Sequence, residues 1–347
     1  MKTRAYRTGV VFAVIVFSCT IFLGLSFAES SKDLYPLAKK EGSVTFGGPT
    51  SEKRALKILS AFEKTYPGVK INYVRKSSGP FATLLQTERA AGKCTFDLVH
   101  SSDPIDIERL KETGYFTKYT SENWDAISEK LKDKDTFYCA YAVTLMLACY
   151  NPTAIKPEEA PKSYKDFLDP KWKNMMSNSS PSRGGTGLVA AMRVIDLYGW
   201  DYIETLAAHG AMFVRGHGSV ISMVISGERP LAWEATGYRV LEEDAKGSPL
   251  KTIFATEGPP VSVWNMGIPE KAPHPNAGKL LYNFLTSKEG QGLLVKHANL
   301  WSHLPNMPAP VLMKPLEQLN VWYPDMNYLL KHGEEIAEKF DKIFGIK

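Results

Sequence analysis

The 347-residue chain lacks the short motifs that mark common catalytic centres. No Gly-Lys-Ser/Thr closes a glycine-rich loop, which excludes a Walker-type nucleotide site. No His-Glu-x-x-His and no Cys/His spacing resembles a zinc site. Gly216-His217-Gly218-Ser219-Val220 lacks the final glycine of a nucleophile elbow. A secreted hydrolase needs a nucleophile, a base and an orienting acid, so it stands as the weaker alternative. Internal repeats and low-complexity segments are missing as well. Cysteine is scarce, with four in the chain. Excess charge is scarce too. Residues 1–28 carry three basic side chains and no acidic one, so removing them lowers the formal charge from +5 to +2. With no basic tract and no aromatic-basic interleaving, nucleic acid is excluded as the expected partner.

The N-terminus does carry a signal. Lys2, Arg4 and Arg7 precede an apolar run from Gly9 to Ala28, and Ser26 and Ala28 stand at −3 and −1 of a small-residue cleavage position. This pattern predicts a secretory signal peptide over 1–28 and a periplasmic mature protein. An uncleaved anchor helix is the alternative, and Cys19 offers a loose lipidation box within the run. Export permits disulfides. Cys139 and Cys149 flank an expected extended pair, Phe137 to Val143 and Leu145 to Tyr150, and would face each other in a tight hairpin. A disulfide or two buried free thiols are the alternatives.

Along the chain, strand, loop and helix alternate. Val44 to Phe46, Val69 to Tyr73 and Phe96 to Val99 read as strands. Each is followed by a polar loop and then by a helix, the first with Leu56, Leu59, Phe62 and Tyr66 on its face. This α/β alternation implies a parallel sheet flanked by helices, with ligands bound beyond the carboxyl ends of the strands. Asn178-Ser179 reads as a turn and Lys162 to Lys173 as a helix broken at Pro170. Most distinctive is Ser180-Pro181-Ser182-Arg183-Gly184-Gly185-Thr186-Gly187, which runs into a helix carrying Leu188, Ala191, Met192 and Ile195. A helix start has unpaired N–H groups and a positive dipole end. Glycines give close access, hydroxyls add hydrogen bonds, and Arg183 adds a charge, so the loop is suited to a small anion. A solvated capping loop is the plainer alternative.

These stretches together resemble the type-2 periplasmic binding proteins of ABC importers, in the branch with ferric-iron, phosphonate, thiamine and polyamine relatives. The resemblance rests on Val44 to Tyr66, on Phe96-Asp97-Leu98-Val99 with Ser102-Asp103, on Tyr150-Asn151-Pro152, on Pro161 to Lys173, and on Ser287-Lys288-Glu289-Gly290-Gln291. It implies two α/β lobes joined by two extended crossovers, with the ligand cleft between them. Lobe one is expected over 29–140 plus 261–347 and lobe two over 141–260. It further implies a small-molecule ligand, a membrane permease and an ATPase as partners, no cofactor and no chemistry, in a monomer. Lobe one would hold the ligand through Thr50, Ser51, Ser78 and Ser102. Lobe two would use Ser182, Arg183, Gly185, Thr186 and Tyr238. Thr50 and Ser51 as helix caps, and Tyr238 as core, are the plainer alternatives. Glu234 reads as a surface or hinge residue, and His217 is ambiguous. The branch's ferric-binding members place two adjacent tyrosines on the metal. Gly237-Tyr238 stands at that position here, so one tyrosine is missing. A small carboxylate or phosphonate is therefore expected ahead of iron, with ferric-iron binding as the alternative.

Overall fold

The computed structural model describes residues 29–181, 185–214 and 216–346. The expected leader, Ser182 and Arg183 lie outside the described residues. The first helix, α1 (Ser31–Glu41), starts where the Ser30 hydroxyl accepts the Asp33 N–H and stops at Gly42, whose φ is 77°. Then β1 (Ser43–Gly48), α2 (Glu52–Thr65), β2 (Lys70–Arg75), α3 (Ser78–Ala90), β3 (Leu98–Ser101) and α4 (Pro104–Glu112) alternate as expected. β1 lies between β2 and β3 and is parallel to both. Parallel neighbours need a crossover, and the helices supply it. The apolar stripe of α2 is one residue off the expected face. Ala55, Ile58, Leu59 and Phe62 are buried at helical spacing, while Leu56 is 49% exposed.

β4 (Cys139–Tyr150) corrects the expected hairpin. It is one strand of 12 residues, buried throughout. Its sequence contains no Gly, Pro, Asn or Asp to turn the chain. Cys139 and Cys149 are ten residues apart on it, about 33 Å in an extended strand. No disulfide can span that distance, and both are buried thiols. The expected helix over 162–173 is also replaced, by two 3-10 turns, Lys165–Leu168 and Pro170–Trp172. Asp166 accepts the N–H groups of Lys162 and Ser163, which ties the segment into a local turn, and Pro170 has no N–H to extend a helix.

The chain continues through β5 (Ser177–Ser179), α5 (Gly185–Tyr198), α6 (Trp200–Ala208), β6 (Met212–Val214), α7 (His217–Ser226), β7 (Leu231–Thr236), α8 (Gly237–Ala245), β8 (Lys251–Ile253), β9 (Val261–Gly267), α9 (Pro275–Thr286), α10 (Lys288–Ala298) and α11 (Met326–Phe344). Asn178 and Ser179 are strand, not turn. β5 pairs in parallel with β6, and the Asn178 side-chain oxygen accepts the Trp233 N–H at 3.1 Å, which uses the polar group inside the fold.

The sheet is mixed. β9 runs antiparallel to β3 and to the first half of β4, and β7 and β8 run antiparallel to the second half of β4. β4 therefore belongs to both halves of the molecule, and β4 and β9 lie side by side where the chain crosses. One apolar core surrounds Phe46, Leu98, Tyr141 and Leu281. A second surrounds Tyr164, Trp172, Tyr202 and Trp233. Phe340, late in the stretch expected with lobe one, is buried in this second core.

Candidate functional site

The loops after β1, β2 and β3 end at the same edge of the first core. Ser78 and Ser102 meet there: their hydroxyls share a hydrogen bond of 2.9 Å, and the Ser102 N–H donates to the Ser78 oxygen at 3.2 Å. Thr50 is turned inward and is 3% exposed, and its carbonyl accepts the Tyr73 hydroxyl at 2.8 Å. Ser51 precedes α2 without capping it through its side chain, and its hydroxyl oxygen accepts Arg54 Nη1 at 3.3 Å. Asp103 caps α4, accepting the Ile105 N–H at 3.0 Å. The same carboxylate reaches across to the second half and accepts the N–H of Gly185, at the start of α5. A Cβ on Gly185 would lie 2.7 Å from the Asp103 carboxyl carbon. The close approach expected at this glycine is thus made by a side chain of the protein. Burial raises the pKa of Asp103 against its N–H bonds. Burial and then the Asp103 charge push Asp106 up to about 7.

The second half contributes three helix starts and the end of β7. The Thr186 hydroxyl and His217 Nε2 are hydrogen-bonded at 2.9 Å, which joins α5 to α7. His217 Nδ1 stands 3.7 Å from Glu234 Oε2, beyond hydrogen-bond length. Glu234 is 1% exposed, and its other oxygen accepts the Ser179 N–H at 3.1 Å. Neither His217 Nδ1 nor Glu234 Oε2 has a hydrogen-bond partner among the described residues. Burial pushes Glu234 up to about 8, partly offset by the Ser179 N–H. Burial and then the Arg239 charge press His217 down to about 3. At neutral pH both groups are therefore uncharged, and no ion pair joins them.

Tyr238 is buried against Trp264, ring centroids 5.8 Å apart at 89°. Two guanidinium groups cover its ring: Arg54 of α2 at 5.0 Å and Arg239 at 5.4 Å. Arg54 also pairs with Glu242 of α8. Arg239 donates from Nε to the Tyr238 hydroxyl at 2.9 Å, and no carboxylate pairs with it among the described residues. Its Nη1 lies 4.0 Å from where a Cβ on Gly218 would stand, beside the start of α7. The structure thus gathers Gly185, Thr186, His217, Glu234 and Arg239 in one neighbourhood, with Asp103 facing them. Arg239, His217 and Asp103 were missing from the expected set. The signal available for Arg239 was its position, three residues after a strand end and in the first turn of a helix. For His217 it was the flanking glycines. Among the described residues no group of three His, Cys, Asp or Glu side chains is placed to hold a metal ion.

Residues 95–332 match the family model described as bacterial extracellular solute-binding protein. The chain belongs to this family. As a member it is a substrate-binding protein of an ABC transporter, and the family implies a small-molecule ligand, a membrane permease partner and a place outside the cytoplasm. No helix among the described residues is long and apolar enough to cross a membrane. A Salmonella typhimurium protein provisionally named as a 2-aminoethylphosphonate-binding periplasmic protein is 24% identical over 244 residues, covering 67% of this chain and 69% of that one. The periplasmic binding protein AfuA of Actinobacillus pleuropneumoniae, solved with exogenous fructose-6-phosphate bound, superposes with a TM-score of 0.76 at 20% identity, covering 88% of this chain and 99% of that one. Iron-bound HitA of Pseudomonas aeruginosa superposes with a TM-score of 0.75 at 20% identity, covering 87% of this chain and 99% of that one. These solute-binding proteins share the two-lobed α/β fold.

Proposed function

We propose that this solute-binding protein captures a small organic anion, a carboxylate or a phosphonate, between its lobes and delivers it unchanged to the permease. The single observation that carries this is Arg239, a half-buried guanidinium with no carboxylate partner among the described residues, beside the start of α7. A guanidinium matches carboxylate and phosphonate geometry with two parallel hydrogen bonds. The nearby Glu234, held protonated, adds no opposing charge at neutral pH. The names of two relatives point the same way, since 2-aminoethylphosphonate and fructose-6-phosphate are both anionic. The expected contacts at Thr50, Ser51, Ser78, Ser102 and Thr186 belong to this proposal, as do Ser182 and Arg183 before α5 and Tyr238 beneath Arg239; Gly185 does not, because Asp103 accepts its N–H. The lobe boundaries at 140 and 261, export with cleavage after Ala28, and a monomeric state complete it.

Ferric iron as cargo is the rival, favoured by the iron-bound neighbour. Two guanidinium groups stand within 5.4 Å of the one tyrosine at the position where a pair would be needed. Their charge opposes a bare trivalent cation. Calorimetry on residues 29–347 with 2-aminoethylphosphonate, related phosphonates and small carboxylates tests the proposal. One site per chain and loss of binding in Arg239→Ala are expected. Stoichiometric iron retained after ferric citrate loading, with a tyrosinate absorption band abolished by Tyr238→Phe, would sink the anion reading.

A further inference from the structure

The C-terminal helix makes a connection between the lobes in addition to β4 and β9. α11 buries a single stripe, Leu329, Gly333, Ile336 and Phe340, and leaves its other face in water. Its far end is rooted in lobe two. Phe340 is fully buried there, with its ring 4.8 Å from Phe213, and Asp341 accepts the Ser180 hydroxyl at 3.0 Å. Its near end reaches the other lobe. Leu329 and Ile336 form a separate apolar cluster with Leu188, Val189 and Met192 of α5, and Ile105 of α4 packs on that same cluster. Gly333 marks the crossing. A Cβ there would lie 2.8 Å from Ile105 Cδ1 and 3.0 Å from Leu188 Cδ2.

These contacts stand next to the cleft. Ile105 follows Asp103 by two residues, and the Asp103 carboxylate accepts the Gly185 N–H of α5. One turn further along α4, Arg109 pairs with Glu334 of α11. The first two turns of α4 are therefore held by lobe two and by a helix rooted in it. An opening that swings α4 away from α5 must pull Ile105 off Leu329 and Ile336 and expose that apolar surface to water. We infer that α11 is a closure strap: anchored to lobe two at Phe340, it grips Ile105 of lobe one when the cleft is shut, and Gly333 is the small residue that lets the grip close. The strap acts whichever solute is bound, so it stands independently of the anion proposal.

Two substitutions attack the grip from opposite directions. Gly333→Leu drives a side chain between α4 and α5. Ile105→Ala removes the surface that α11 holds. Small-angle X-ray scattering on residues 29–347, with no solute added, compares both with the parent. Each variant is expected to show a larger radius of gyration, Gly333→Leu more than Ile105→Ala, while circular dichroism reports unchanged helix content. If Gly333→Leu fails to fold, Ile105→Ala decides alone. A folded Ile105→Ala protein with the parent's radius of gyration overturns the strap.

Discussion

The two walls of the cleft differ in charge. Both leave buried polar atoms without a hydrogen-bond partner among the described residues: the Thr50 hydroxyl, both His100 nitrogens and one Asp106 oxygen on the first, one Glu234 oxygen and one His217 nitrogen on the second. The first wall also carries the bonded Ser78–Ser102 pair and the acid Asp103, whose carboxylate accepts backbone N–H groups of α4 and α5. The second carries Arg239, which has no carboxylate partner among the described residues. A buried group left without a partner costs about 1–3 kcal/mol. On the proposed function, the second wall is the one where such groups stand beside a cation unmatched among the described residues, and a bound anion would complete them. The second wall is accordingly the one expected to discriminate between solutes, and the first wall the one that closes over them.

Arg239 gives the sharpest break in this comparison. Arg239→Ala is expected to weaken anion binding by about 2–5 kcal/mol, because the anion then lies in the closed cleft without its charge partner. Calorimetry against the parent measures it, and a thermal melt of the solute-free protein should change little. Equal affinities would move the discriminating role away from this wall.

A smaller effect concerns Glu234 and pH. Its pKa in the fold is about 8, above the ordinary 4.5, so the folded chain binds more protons than the unfolded chain between those values. Stability from this group is present below the unfolded value and is lost as pH rises toward 8, by up to about 1.4 kcal/mol per pH unit. His217 has the opposite sign, since its pKa is lowered to about 3 and it loses stability as pH falls below 6.5. Asp106, raised to about 7, titrates in the same direction, so the difference between the parent and Glu234→Gln across pH 6.5 to 8 is what reports Glu234. Urea unfolding across that window should show the parent losing stability relative to Glu234→Gln. Parallel pH profiles would mean that Glu234 is charged in the fold and that the second wall is not neutral.

The smallest change is expected on the first wall. Ser102→Ala removes one partner of a satisfied pair and should alter solute affinity and stability by about 1 kcal/mol each. A loss as large as that of Arg239→Ala would erase the difference between the walls.

Much of this was legible along the chain. Apolar spacing and the polar loops between the runs placed β1 to β3 and α2 to α4, because both signals are local. The helix after Gly185 was readable for the same reason. The misreadings were places where distant partners decide. Whether Cys139 and Cys149 face each other depends on β9 and β7 pairing with successive halves of β4, so no hairpin is needed. Asn178 is strand because Trp233 supplies the N–H that its side chain accepts. Glu234 reads as any exposed carboxylate until β7 is seen buried on both sides.

The sequence by itself determined the α/β class, the order of the elements, the loops that meet at the cleft and the family, since each depends on residues within a few turns of one another. Only the tertiary structure decided that Asp103 occupies the start of α5, that burial drives His217 and Glu234 toward their neutral forms, that Arg239 has no carboxylate partner among the described residues, and that α11 touches both cores. Those outcomes depend on burial and on groups brought together from distant positions, such as Ile105 and Gly333, 228 residues apart. Desolvation acts on the assembled site and leaves no trace in local spacing.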